Sequence, residues 1–102
     1  MEVEGSYLVA RTLKEEGVEH LFFLMGGPNY EIVNNAVDLG IKATDFRHEQ
    51  AASMAAHGYA RVTGKPGVTT AASGPGTLNL LTGQYTAWAD CAPMITLGGA
   101  GP

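Results

Sequence analysis

Short apolar runs of strand length take turns along this chain with stretches of helical spacing, and glycine or proline marks the joints; this alternation narrows the fold more than any other feature. Residues 3–16 place Val3, Tyr7, Leu8, Ala10 and Leu13 at helical spacing and stop at Gly17. The run His20-Leu21-Phe22-Phe23-Leu24 reads as a buried strand closed by Gly26-Gly27-Pro28. Residues 29–39 return to helical spacing through Ile32, Val33, Ala36, Val37 and Leu39, and 41–46 form a further short strand. Residues 49–62 read as a helix rich in small side chains, broken by Gly64-Lys65-Pro66-Gly67. Residues 68–72 then read as a strand cut by Ser73-Gly74-Pro75-Gly76, 77–89 as a helix and 94–97 as a last strand.

The predicted order is thus α-β-α-β-α-β-α-β, an α/β fold with a mainly parallel sheet and helices on both faces in three layers. In such sheets ligands bind outside the carboxyl ends of the strands. Those ends carry Gly26-Gly27-Pro28, Arg47-His48-Glu49-Gln50 and Ser73-Gly74-Pro75-Gly76, which hold all the unusual chemistry of the chain.

Composition removes several function classes. The 102 residues suit one small domain, 1–102, with a modest core that buries about two-thirds of the unfolded surface. A net charge of −4 with six scattered Lys and Arg offers no basic stripe for nucleic acid. No run approaches the roughly 20 apolar residues that span a bilayer, and Met1-Glu2-Val3-Glu4 lacks the basic start of a signal peptide. The single Cys91 excludes an internal disulfide and fits a reducing compartment, so a cytoplasmic protein is expected. The fourteen glycines gather at expected turns, as loop residues rather than a flexible linker.

Each motif has an ordinary reading beside a functional one. Glu49 is expected in the first turn of its helix, where a carboxylate offsets the helix dipole by about 0.3–1 kcal/mol. The alternative is a carboxylate facing a ligand at a strand's carboxyl end. Ala51, Ala52, Ser53, Ala55, Ala56, Gly58 and Ala60 leave the helix nearly bare, which suits close packing against another helix or another subunit. His48-Glu49 lacks the second histidine four residues on that a helical zinc pair requires, since Ala52 stands there. Ser73-Gly74-Pro75-Gly76 is followed by Thr77-Leu78, without the lysine of a phosphate-binding loop, and Asn79 breaks the dinucleotide pattern. The proline makes a stiff turn with one N–H fewer, better at shaping a wall than at cradling phosphate. Met54, Tyr59, Tyr85 and Trp88 are expected as core or interface anchors rather than cofactor groups. No Gly-x-Ser-x-Gly elbow supports nucleophilic hydrolysis.

The string Arg47-His48-Glu49-Gln50-Ala51-Ala52, Met54-Ala55, Gly58-Tyr59-Ala60-Arg61, Thr63 to Val68, Ser73-Gly74-Pro75-Gly76 and Asn79 resembles the N-terminal, aminopyrimidine-binding domain of thiamine-diphosphate enzymes. The branch it is most similar to holds acetolactate synthase and 2-hydroxyacyl-CoA lyase, with oxalyl-CoA decarboxylase and benzaldehyde lyase as relatives. The resemblance runs from about Val3 to Gly98, and its specificity lies in the order and spacing of motifs that are individually common.

The resemblance implies that Glu49 hydrogen-bonds N1′ of the aminopyrimidine ring. A proton shared there favours the tautomer whose 4′-nitrogen deprotonates thiazolium C2, so Glu49 is expected to be shielded from water. It also implies that Gly26, Gly27 and Pro28 line the reacting end, that Pro75 and Asn79 lie close to the ring, and that the small-residue helix packs at a subunit interface. The activity implied is making or breaking a carbon–carbon bond of a 2-oxo acid or 2-hydroxyacyl compound. Relatives hold the diphosphate through Mg2+ on a second domain with a Gly-Asp-Gly sequence, which is missing here, as is the adjacent His-His pair of the pyruvate-decarboxylase kind. The family's first domain also has strands beyond Pro102. The chain is therefore expected to be an incomplete N-terminal part, inactive alone, completed by a homo-oligomer or by a partner chain carrying the diphosphate half. The alternative is a non-catalytic module that keeps the fold for oligomerisation or binding.

Overall fold

The computed structural model describes residues 2–101; Met1 and Pro102, the two ends of the expected domain, lie outside the described residues. Helix α1 (Gly5–Glu15) leads into β1 (His20–Phe23), and a 3-10 turn, Gly27–Asn29, opens α2 (Tyr30–Asp38). Then follow β2 (Lys42–Asp45), α3 (Glu49–Thr63), β3 (Gly67–Ala71), α4 (Pro75–Asn79), α5 (Leu81–Ala89) and β4 (Met94–Gly98). The four strands form one parallel sheet in the order β2-β1-β3-β4. The α/β architecture with helices on both faces is as expected.

Position in the sheet explains the composition of each strand. Central β3 is buried at all five residues and central β1 at Leu21, Phe22 and Phe23, whereas the outer strand β2 is mostly exposed and tolerates Lys42 and Asp45. The register aligns Leu21 with Val68 and Ile95, and Phe23 with Thr70 and Leu97. These residues point to the face covered by α1 and α2, where Leu21, Phe23, Val68, Ile95 and Leu97 pack with Ala10, Leu13, Val33, Ala36 and Ile41. Phe22 points to the other face and meets Ala52 and Ala56 of α3, flanked by Phe46, Tyr59 and Met94.

One boundary differs from the expectation of an unbroken helix over 77–89. The helix begins at Pro75, which occupies the first turn where its missing N–H costs nothing, and it is interrupted at Leu80. There the Leu80 N–H turns to the carbonyl of Thr77 at 3.1 Å, and the tightened step divides α4 from α5. Gly74 precedes them with φ +63°, a backbone conformation that favours glycine.

The small residues of α3 are used within the chain. Ala52, Ser53, Ala56, His57 and Ala60 are buried against β3 and α5. A side chain on Gly67 would meet the Ala56 carbonyl, and one on Gly83 would place Cβ 2.8 Å from the carbonyl carbon of Ser53. Of the two places expected for Met54, core or interface, the structure excludes the core of this chain: Met54 lies on the outward side of α3 and is exposed.

Candidate functional site

The carboxyl ends of the strands bring the three sequence motifs together. Glu49 is the first residue of α3, and His48 before it caps the helix, its Nδ1 accepting the Gln50 N–H at 3.0 Å. Glu49 is half-buried as a residue, so this chain alone shields it less than expected. Asn79, thirty positions later at the end of α4, donates from Nδ2 to Glu49 Oε1 at 3.2 Å. The other carboxylate oxygen lies beside Gly76: a Cβ on that buried glycine would sit 3.5 Å from Oε2. The carboxylate thus has one oxygen engaged by a neutral donor and the other beside a wall without a side chain.

Gly26, Gly27 and Pro28 form the neighbouring loop. A side chain on Gly26 would collide with Ala72, and Ala72 is also the residue that a Cβ on Gly76 would approach most closely, at 3.3 Å. The loop after β1 and the turn after β3 therefore share one wall. Pro28 packs against Gly99 just beyond β4, while Gly27 has open space where a side chain would be. Pro75 is exposed at the start of α4, one residue before Gly76. Glu49 and Asn79 are in direct contact, and Gly26 is linked to them through Ala72 and Gly76. Among the described residues no hydrogen bond joins Gly27, Pro28 or Pro75 to the carboxylate.

Two supporting residues were not singled out from the sequence. Asn29 is only 1% exposed; its Oδ1 accepts the Gly26 N–H at 2.8 Å and its Nδ2 donates to the Leu24 carbonyl at 3.1 Å. It clasps the loop that carries Gly26–Pro28. An asparagine directly after Gly-Gly-Pro at a strand-to-helix joint was the available signal, since its side chain can close such turns on the backbone. Thr77 does the same for the next turn, donating from Oγ1 to the Ala72 carbonyl at 2.7 Å.

The chemistry available is proton sharing. A carboxylate with one oxygen engaged by a neutral donor can hold or return a proton at the other. The site offers no comparable cradle for a divalent ion, and the described residues include no group of three or more His, Cys, Asp or Glu placed to hold a metal. An apolar groove of about 370 Å³ lined by Leu8, Val9, Thr12, Leu13, Ile95 and Leu97 lies on the α1 side of the sheet, away from Glu49. It has no ionisable group and takes no part in this chemistry. No helix among the described residues is long and apolar enough to cross a membrane.

Comparison with known proteins bears on the same residues. The family described as thiamine pyrophosphate enzyme, N-terminal TPP binding domain, matches residues 3–102. The chain is similar to a 2-hydroxyacyl-CoA lyase of Arabidopsis thaliana, at 39% identity over 96% of this chain and 17% of that protein. It is also similar to an acetolactate synthase of Arthrospira platensis, at 44% identity over 98% of this chain and 18% of that protein. A third relative is 2-hydroxyacyl-CoA lyase 1 of Mus musculus, at 41% identity over 97% of this chain and 17% of that protein. The chain spans less than a fifth of the length of these curated relatives.

Proposed function

The chain belongs to the thiamine pyrophosphate enzymes as their N-terminal TPP-binding domain, and from that premise we propose that Glu49 is the carboxylate that shares a proton with the aminopyrimidine ring of thiamine diphosphate. The observation that carries this reading is the Glu49 carboxylate itself, held at a strand end with Oε1 bonded to Asn79 and Oε2 beside Gly76. Thiamine diphosphate, when bound, supplies the carbanion-stabilising chemistry that no side chain provides. Glu49 holds and returns a proton at the ring, the clasped Gly26–Pro28 loop forms the wall at the reacting end, and Pro75 stiffens the turn that carries Gly76. We propose that the complete protein makes or breaks a carbon–carbon bond of a 2-oxo acid or 2-hydroxyacyl compound, in keeping with the names of its relatives. Mg2+ and the diphosphate are assigned to another domain or chain.

The outer face of α5 supports a partner for that half. Leu81, Tyr85 and Trp88 are exposed, the last two at 68% and 71%, whereas the inward residues Gly83 and Ala87 are small. A helix that points its large apolar groups outward is built to be covered. The proposed cover is a second copy or a chain carrying the diphosphate-binding half, and sedimentation of the full-length protein as a monomer would remove this reading. The lone free Cys91 and the absence of a disulfide keep a cytoplasmic setting as the proposed location.

The test of Glu49 is Glu49→Gln in the full-length protein. Loss of a positioned acid–base group is expected to slow exchange of the cofactor's C2 proton by about 10²–10⁴-fold, with the cofactor still bound. Exchange at the wild-type rate would remove the assignment.

A further inference from the structure

The Asn79–Glu49 hydrogen bond redefines what Asn79 is for. The resemblance places Asn79 near the cofactor ring, and in the structure one of its two amide N–H groups is given to Glu49 Oε1. Neither side chain needs the other for its own helix. Glu49 stands at the start of α3, whose cap is supplied by His48, and Asn79 is an exposed residue at the end of α4 that water would satisfy. A carboxylate on a three-torsion side chain turns about its last bond with little preference, so either oxygen can face the ligand. A donor on Oε1 ends that freedom.

We propose that Asn79 is a positioning residue: by occupying Oε1 it reserves Oε2, beside Gly76, as the oxygen that carries the shared proton. The inference rests on the assignment of Glu49 given above and adds to it which oxygen acts and what selects it. A neutral carboxamide suits the task, because an ammonium or guanidinium at this point would bias a carboxylate more strongly towards its charged form. Gly76 completes the arrangement: without a side chain it leaves Oε2 uncovered, where a Cβ would already be in van der Waals contact at 3.5 Å.

The experiment compares wild type, Asn79→Ala, Glu49→Gln and the double variant of the full-length protein loaded with thiamine diphosphate. Exchange of the C2 proton for deuterium is followed by quenched NMR, and cofactor affinity by titration. Asn79→Ala is expected to slow exchange by about 10- to 100-fold, the range for a hydrogen bond to a charged group, while cofactor affinity changes little. In the Glu49→Gln background the same substitution is expected to add less than about twofold, because its effect passes through the carboxylate. An equal cost in both backgrounds would show that Asn79 acts on the ring directly and would overturn the proposal, as would wild-type exchange in Asn79→Ala. Slow exchange in Glu49→Gln alone, with Asn79→Ala unaffected, sinks the inference but leaves the Glu49 assignment standing. Should Asn79→Ala fold poorly, Asn79→Leu keeps the volume without the donor, and the same outcomes decide.

Discussion

The two faces of the sheet are packed in opposite ways. On the α1–α2 side Leu13, Val18, Leu21, Phe23, Val33, Ile41 and Val68, large apolar groups, interlock through their side chains around the small Ala10 and Ala36. On the α3–α5 side Phe22 and His57 are the large buried groups, and around them Ala52, Ser53, Ala56, Ala60, Thr69, Gly83 and Ala87 are small enough that backbones themselves come close. The first face is a reservoir of burial energy and can readjust by changing rotamers. The second has few rotamers to change, and its spacing is fixed by main-chain atoms. Glu49 opens α3 and Asn79 stands two residues before α5. The distance between α3 and α5 therefore sets the distance between these two residues of the candidate site. At the far end the same pair of helices is joined by Arg61, whose Nη1 donates to Asp90 Oδ2 at 3.1 Å. Stability resides mainly on one face, and site geometry on the other.

Two substitutions bring this contrast to a test. Leu21→Ala removes a side chain that is fully buried and is expected to cost about 2–5 kcal/mol by chemical denaturation. The molecules that remain folded should bind cofactor and exchange its C2 proton as the wild type does. Gly83→Ala puts a methyl 2.6 Å from Ser53 Cβ, and α5 must move away from α3. Its expected cost is smaller, about 1–3 kcal/mol, partly offset by the better helix propensity of alanine. Its effect on C2 exchange is expected to exceed that of Leu21→Ala, because it separates Asn79 from Glu49. If Gly83→Ala loses stability but keeps wild-type exchange, the spacing of these helices does not govern the site.

The layered order of the fold was legible because strand and helix periods differ and Gly or Pro stands at the joints. The place of Glu49 at the binding end of the sheet was legible for the same reason, but position alone fits a helix-start carboxylate as well, and the role proposed for it came from the order and spacing of the family's motifs. The break at Leu80 was not legible, because it is made by a buried leucine and a tightened backbone step, with neither glycine nor proline to announce it. The outward direction of Tyr85 and Trp88 was also hidden. α5 carries apolar residues all round, and only the close approach at Gly83 decides which side is inward. Asn29 escaped notice because its function is local and polar, and periodicity reports only apolar residues. The contact between Asn79 and Glu49 joins residues thirty positions apart through the packing of α3 and α5, a spacing that no single motif records.

The smallest predicted effect lies at the amino end of the sheet, opposite the site. Lys65, in the turn before β3, pairs with Glu19, just before β1. The hydrogen bond and charge of Lys65 hold the Glu19 carboxyl below its usual range, and Glu19 raises the Lys65 ammonium in return. Both side chains are at least half exposed, so solvent and salt screen the pair strongly. A carboxyl with a depressed value in the folded state stabilises the fold above its unfolded value, near pH 4, and that contribution fades as the pH falls through the folded value. A lysine with a raised value gives its share below about pH 10.4, and the share fades as the pH rises through the folded value. Lys65→Ala should therefore lower the Tm slightly between these limits, and the difference from wild type should shrink in acid, in strong base and at about 1 M salt. Because the pair lies at the opposite end of the sheet from Glu49 and Asn79, C2 exchange in this variant should match the wild type. A slowed exchange would mean that the amino end of the sheet is coupled to the Glu49–Asn79 geometry after all, and that the two faces do not divide the work as their packing suggests.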